Sequence, residues 1–170
     1  MGANLLPKPL KLGQFFDFDE TNGEIRIFGK RRVTVDVEGL CAYLDNLVGK
    51  QVAGTILTNY GRQSGRNRVT ELRKMKTNPE PPTIGEIVEE LIAGEILAGY
   101  GVVKLIFRED EAVPVELEMR NSIIKAATGT VVRFVLSYWA GALGALLNKT
   151  MDVTNVTYDA DILKCQFTVI

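Results

Sequence analysis

Apolar residues follow two different periods along this 170-residue chain, and the period predicts where helices and strands lie. Residues 122–148 form the most apolar stretch, in which Lys125 and Arg133 are the charged residues. A helix that is hydrophobic on nearly every face is buried in a protein core or in a bilayer. The second half of the stretch is rich in glycine and alanine, which let another backbone approach closely. We therefore expect a long helix around which the fold is organised.

Two hairpins are predicted near the ends of the chain. Residues 15–29 contain two β-prone runs around Asn22-Gly23, a pair typical of tight hairpin turns. Residues 151–158 and 162–170 form the second hairpin, because apolar and polar residues alternate along its last strand. Two further strands are expected at residues 102–107 and 113–119.

Three shorter helices are predicted between the hairpins. The first follows an N-cap at Thr34, the second covers residues 50–60 before Gly61 and Gly65 loosen the chain, and the third starts with a capping box. Thr83 and Glu86 form that box. Helical spacing predicts inward-facing stripes on the first two helices, made of Val37, Leu40, Cys41, Leu44, Leu47 and Val48, and of Val52, Ile56 and Leu57.

The length of the apolar helix raises the alternative of a membrane span. Residues 126–147 carry one charge and are long enough to cross a bilayer core of roughly 30 Å. Arg133 would then lie near the middle of the span at a cost of at least ~2.5 kcal/mol. The neighbouring strands would also lose the layer that covers one face of their sheet. We therefore predict a core helix and no membrane partner.

These elements predict an α+β fold. Helices pack on one face of an antiparallel sheet, with a long buried helix and a C-terminal β-hairpin. We expect residues 1–33 to form an N-terminal arm and hairpin, and residues 34–170 to form a single globular unit.

Composition and charge exclude several classes of function. The net charge of −1 provides no global field for nucleic acid. A locally basic segment, residues 62–76, could hold phosphate, but it lacks interleaved aromatics and a solvated helix face is favoured. The absence of histidine excludes histidine-dependent catalysis. Cys41 and Cys165 both lie on apolar stripes, so we expect buried thiols in a reducing, cytoplasmic protein.

Several motifs occur in an order that resembles the 4-vinyl reductase domain family. They are Gly99-Tyr100-Gly101 after the third helix, Asn121-Ser122 before the long helix, SYWAGALGALL within it and CQFTV at the end. The resemblance covers residues 34–170. It implies an α+β fold shared with a class of vesicle-tethering subunits, usually dimeric, around an apolar pocket. Members include the sensor domains of aromatic-hydrocarbon-responsive regulators.

The resemblance does not extend to the zinc site of the sensor branch. In that branch of the family, cysteines and a glutamate hold the zinc, and two of these ligands lie in the last hairpin. Counting back from Cys165, the corresponding positions carry Thr154 and Thr157. The sequence therefore identifies no metal site and no cofactor.

Three functional hypotheses follow. The favoured one is a homodimeric module that binds a small apolar or aromatic molecule between the long helix and the sheet, with a regulatory or sensory role. The candidate ligand contacts are Tyr100, Phe107, Met119, Arg133 (as an anion anchor), Phe134, Tyr138 and Trp139. Core packing is the alternative for each aromatic residue taken singly.

The second hypothesis is an assembly protein that dimerises through the first helix or the edge of the sheet. The third is a reductase-related enzyme, which is least favoured because the chain has no nucleotide-binding fingerprint, no histidine and no set of metal ligands.

Overall fold

An antiparallel sheet covered on one face by helices is the frame of the structure, a computed structural model. It describes residues 4–5, 16–19, 24–27, 30–32, 36–74, 81–97, 100–109, 112–121 and 129–170, with side chains from residue 36 onwards, residue 97 excepted. The strands of this sheet, in their order across it, are β1 (Asn4–Leu5), β5 (Val102–Phe107), β6 (Val115–Arg120), β8 (Ile162–Val169) and β7 (Met151–Asp159). The predicted fold class and C-terminal hairpin are confirmed.

A second antiparallel sheet contains β2 (Phe16–Asp19), β3 (Glu24–Ile27) and β4 (Lys30–Arg32). Pairing of β2 with β3 confirms the N-terminal hairpin, whose predicted turn at Asn22-Gly23 lies outside the described residues. The division of the chain at residue 33 stays a prediction.

Alternation along the strands determines which face of the large sheet is covered. Leu105, Leu117 and Cys165 are paired across β5, β6 and β8, and all three are buried. The neighbouring row on the opposite face is Lys104, Glu118 and Lys164, in which opposite charges alternate across the strands. One face therefore carries the core, and the other is polar.

Four helices are described: α1 (Val37–Val48), α2 (Lys50–Lys74), α3 (Ile84–Leu97) and α4 (Thr130–Leu147). The predicted capping box is present, because the backbone N–H of Thr83 donates to Glu86 Oε2 at 2.7 Å and that of Glu86 donates to Thr83 Oγ1 at 3.3 Å. The cap predicted for α1 is wrong. Asp36 caps this helix by accepting a hydrogen bond from the Gly39 N–H at 3.1 Å, so Thr34 lies before the cap and outside the described residues.

Helix α4 is the long buried helix that the sequence predicts. It is the one helix in the described part of the chain that is long and apolar enough to cross a membrane, and twelve of its eighteen residues are buried inside the protein. It contacts α2 and β7. Its first turn is tied to α1 by Thr130 Oγ1, which donates to both carboxylate oxygens of Asp45 at 2.7 and 2.9 Å.

Helix α2 is one continuous helix of 25 residues, whereas the sequence predicted a break after residue 60. Gly61 and Gly65 face α4, and a Cβ atom on either would overlap atoms of the α4 backbone. On α4, a Cβ atom at Gly141 would overlap the carbonyl oxygen of Arg62. These glycines therefore permit a close contact between the two helices and do not end α2.

The predicted inward stripes of α1 and α2 are wrong for most of their members. Cys41 and Leu57 are buried and Val37 and Leu44 are partly buried, whereas five predicted core residues are exposed, namely Leu40, Leu47, Val48, Val52 and Ile56. The reason is that α4 covers the side of α2 that carries Gly61 and Gly65, which leaves the neighbouring apolar side uncovered.

We expect Gly141→Ala to lower the free energy of unfolding by ~1–3 kcal/mol, because the added methyl group overpacks the contact between α2 and α4. The matched control is Gly94→Ala in α3, where an added Cβ atom meets no atom within 4 Å. That substitution should stabilise the protein by ~0.5–1 kcal/mol through helix propensity. Urea denaturation of both variants measures the difference. Equal stabilities for the two would contradict the close contact.

Candidate functional site

A glutamate and a tryptophan meet inside the helical layer. Glu95 lies near the end of α3 and is 6% exposed, and Trp139 lies in the middle of α4 and is fully buried. Around them lies the apolar core formed by α2, α3, α4 and the covered face of the sheet. We call these two residues the Glu95–Trp139 pair.

The protein environment favours the neutral form of Glu95. Burial raises the pKa of its carboxyl group to about 8, and the nearby Trp139 indole opposes this shift only in part. No cation contributes to this pKa. At neutral pH the Glu95 carboxyl is therefore mostly protonated, and it can donate as well as accept a hydrogen bond.

Two polar atoms of the pair are left without a partner. The Trp139 indole N–H acts on the Glu95 carboxyl as a hydrogen-bond donor and lowers its pKa, but neither Trp139 Nε1 nor Glu95 Oε2 has a partner at full hydrogen-bond geometry within the described structure. A buried polar atom without a partner costs about 1–3 kcal/mol. The pair therefore places a donor and a carboxyl oxygen, each without a full hydrogen bond, in an apolar core.

Aromatic and thiol side chains adjoin the pair. The backbone N–H of Tyr100 donates to the Glu95 carbonyl at 3.0 Å, which places Tyr100 directly after α3. Burial raises the pKa of the Tyr100 hydroxyl to about 12, with smaller contributions from Glu95, Cys41 and Tyr60. None of these contributions comes from a lysine or an arginine. The surroundings therefore supply no cation to the Tyr100 hydroxyl.

The structure brings some of the predicted ligand contacts together. Tyr138 and Trp139 meet edge to face, with ring centroids 6.0 Å apart, and Phe134 stacks on Tyr60 of α2 at 5.9 Å. Tyr100, Phe134 and Tyr138 are partly buried and pack against the core cluster that contains Trp139.

The remaining three predicted contacts lie on other elements or faces. Met119 on β6 is fully buried, and Phe107 at the end of β5 is partly buried against the same core. Arg133 is exposed at the start of α4, where its side chain lies over Gly54 of α2. A role for these residues in ligand binding stays a prediction.

The positions that carry zinc ligands in the sensor branch do not fit a metal here. Thr154 and Thr157 flank a β-bulge in β7, and the Thr154 hydroxyl donates to the Gln166 carbonyl at 3.5 Å. Burial raises the pKa of the Cys165 thiol to about 12, so the thiolate that zinc requires is disfavoured. In the described ranges, no three acidic, cysteine or histidine side chains group together.

A shallow depression of about 200 Å³ lies on the opposite, polar face of the sheet. Its side chains bond to one another, since Asn155 Nδ2 donates to Gln166 Oε1 at 2.6 Å and Gln166 Nε2 donates to Glu116 Oε1 at 2.8 Å. Arg108 pairs with the second oxygen of Glu116, which helps to hold the pKa of that carboxyl below its usual value. These four side chains already bond to one another, so the depression is the weaker candidate for a ligand site.

The sequence reasoning did not include Glu95, although a signal for it exists. The buried residues of α3 recur at Val88, Leu91 and Ile92, and Glu95 continues this helical spacing. An acidic residue on the buried stripe of an otherwise apolar helix marks a buried carboxyl group. No spacing rule could have placed Trp139 of α4 beside it.

The fold is similar to that of a sensory domain of known structure. The chain resembles the crystal structure of the phenol-responsive sensory domain of the transcription activator PoxR with phenol, with a TM-score of 0.67 over 93% of this chain and 86% of that chain. The two sequences are 16% identical, so the likeness establishes the fold alone. No protein-family model matches the chain, and no curated protein does.

We expect Glu95 to make the stability of the protein fall as pH rises. The folded-state pKa of about 8 exceeds the ordinary value of 4.5, so between these pH values the folded protein binds more protons than the unfolded chain. Stability should decrease through this window by roughly 1.4 kcal/mol per unit of pKa difference.

Urea denaturation at pH 5 and pH 8.5 measures this slope. Glu95→Gln, which cannot ionise, should remove most of it, and Glu38→Gln on the exposed face of α1 should retain it. A slope that is the same in the wild type and in Glu95→Gln would contradict a buried, neutral carboxyl group.

Proposed function

We propose that this protein is a small-molecule-binding module that takes an apolar or aromatic ligand into the helical layer beside the Glu95–Trp139 pair. The observation that carries the proposal is the presence of two unpartnered polar atoms within an apolar core. Ligand sites in proteins are mostly apolar with a few polar groups that fix orientation. A ligand at this position would bury its apolar surface and supply the missing hydrogen bonds.

The structural neighbour supports a regulatory role for such a module. A domain with this fold responds to phenol in a transcription activator. Together with the motif order, this likeness supports membership of the 4-vinyl reductase domain family and a cytoplasmic location. We include no catalytic step in the proposal.

The sole tryptophan of the chain provides a direct test of ligand binding, because Trp139 is itself a member of the pair. Toluene or benzyl alcohol should shift the emission of Trp139 and raise the melting temperature. A ligand at 100 times its dissociation constant stabilises the folded state by about 2.7 kcal/mol. Glycerol serves as the polar control. If none of a panel of small apolar and aromatic compounds changes either signal, the proposal fails.

A second candidate function, homodimeric assembly, is favoured by exposed apolar residues on α1 and α2. We define the α1–α2 surface as Leu40, Tyr43, Leu47, Val52, Ile56 and Tyr60, each of which is at least 42% exposed. Monomeric proteins rarely expose large contiguous apolar patches. The surface carries no charge, so two copies could pack together without like-charge repulsion. Tyr60 belongs to this surface and also stacks on Phe134, so the surface adjoins the proposed ligand site.

We expect Leu47→Glu to convert the dimer into a monomer, because it places a charge at the centre of the α1–α2 surface. Two matched controls place the same charge elsewhere. Val156→Glu lies on the edge strand β7, and Ile84→Glu lies at the start of α3. Sedimentation at micromolar concentration gives the mass of each variant. Loss of the dimer only in Val156→Glu would assign the interface to the sheet edge, and a monomeric wild type would exclude assembly.

A further inference from the structure

Glu95 and Trp139 together restrict the chemistry of the ligand, on the premise that the proposed binding site exists. The indole N–H of Trp139 is a donor and never an acceptor. The ligand atom that meets it must therefore carry a lone pair. An ammonium group has none, so an organic cation could pair with Glu95 but would leave Trp139 Nε1 unsatisfied.

The groups around the pair also exclude an anionic ligand. No charged group contributes to the pKa of Glu95, and the groups that contribute to that of Tyr100 are Glu95, Cys41 and Tyr60, with no lysine or arginine among them. A ligand carboxylate would be buried beside an acidic side chain without a counter-ion. Burial of an unpaired charge is strongly unfavourable.

We infer that Glu95 is the specificity-determining residue of the site, and that the ligand is an uncharged molecule whose hydroxyl or carbonyl oxygen bridges Trp139 Nε1 and Glu95 Oε2. A hydroxyl oxygen accepts from the indole N–H and donates to the carboxyl oxygen. A carbonyl oxygen accepts from the indole N–H and from the protonated carboxyl group. Both arrangements satisfy the two atoms that the protein leaves unpartnered.

Five probes of similar size test this inference through the emission of Trp139. Toluene has no polar group, benzyl alcohol and benzaldehyde carry one oxygen, benzylammonium is a cation and benzoate is an anion. At pH 6.5 the wild-type full chain should bind at least one oxygen probe about tenfold more tightly than the other three, the discrimination typical of one satisfied hydrogen bond. Raising the pH to 9 should weaken the binding of benzaldehyde, which needs the proton of the Glu95 carboxyl group. The binding of benzyl alcohol should not change.

Three variants assign the preference to Glu95. Glu95→Leu should reduce the preference for the oxygen probes over toluene to the part that the Trp139 N–H alone provides, whereas Glu95→Gln retains a polar partner and should keep the preference without its pH dependence. Glu90→Gln, five residues earlier on α3, should behave as the wild type. Circular dichroism of each variant checks that it is folded.

The possible failures are distinct. If no probe binds to any folded variant, the proposed binding function is wrong and the inference falls with it. If toluene binds as tightly to the wild type as the oxygen probes, or if Glu95→Leu keeps the full preference, binding stands and the role of Glu95 is wrong. Tightest binding of benzylammonium would assign Glu95 to ion pairing and would also overturn the inference.

Discussion

The close contact between α2 and α4 is the constraint on which the rest of the structure depends. Gly61 and Gly65 on one helix and Gly141 on the other remove the side chains that would hold the two backbones apart. Protein interiors are packed densely, so two helices this close leave no space for other groups between them. The backbone of α2 therefore covers one side of α4 closely. This arrangement buries the middle of α4, where Trp139 lies.

The same contact explains the basic segment that follows residue 60. Arg62 forms an ion pair with Asp152 of β7, and Arg73 Nη2 donates to the carbonyl of Ala145 at 3.0 Å. The last carbonyl groups of a helix are unpaired and carry partial negative charge, so a cation there is stabilising. Two of the basic residues thus fasten α2 to the end of α4 and to the neighbouring strand. Arg66 and Lys74 are exposed, as a solvated helix face requires.

Local patterns predicted the elements of this fold well and their contacts poorly. The capping box at Thr83 and the bounds of β5 follow from neighbouring residues, so the sequence contains the information directly. Gly61 and Gly65 are ambiguous from sequence, because a glycine can end a helix or admit a partner, and only the presence of α4 decides between them. The predicted stripe of α1 failed for a related reason. Helical spacing shows that an apolar side exists, but it does not show whether another element covers that side.

Glu95 is a residue that the packing of the fold alone does not explain. A carboxyl group in an apolar core lowers stability unless its hydrogen bonds compensate for the loss of water. Glu95 Oε2 and Trp139 Nε1 both lack a partner at full hydrogen-bond geometry, so the indole compensates for that loss only in part. A residue selected for stability alone would be apolar at this position, as Leu91 and Ile92 are on the same stripe. Departures from local consistency of this kind concentrate at functional sites. The proposed ligand site would account for a glutamate that the fold does not need.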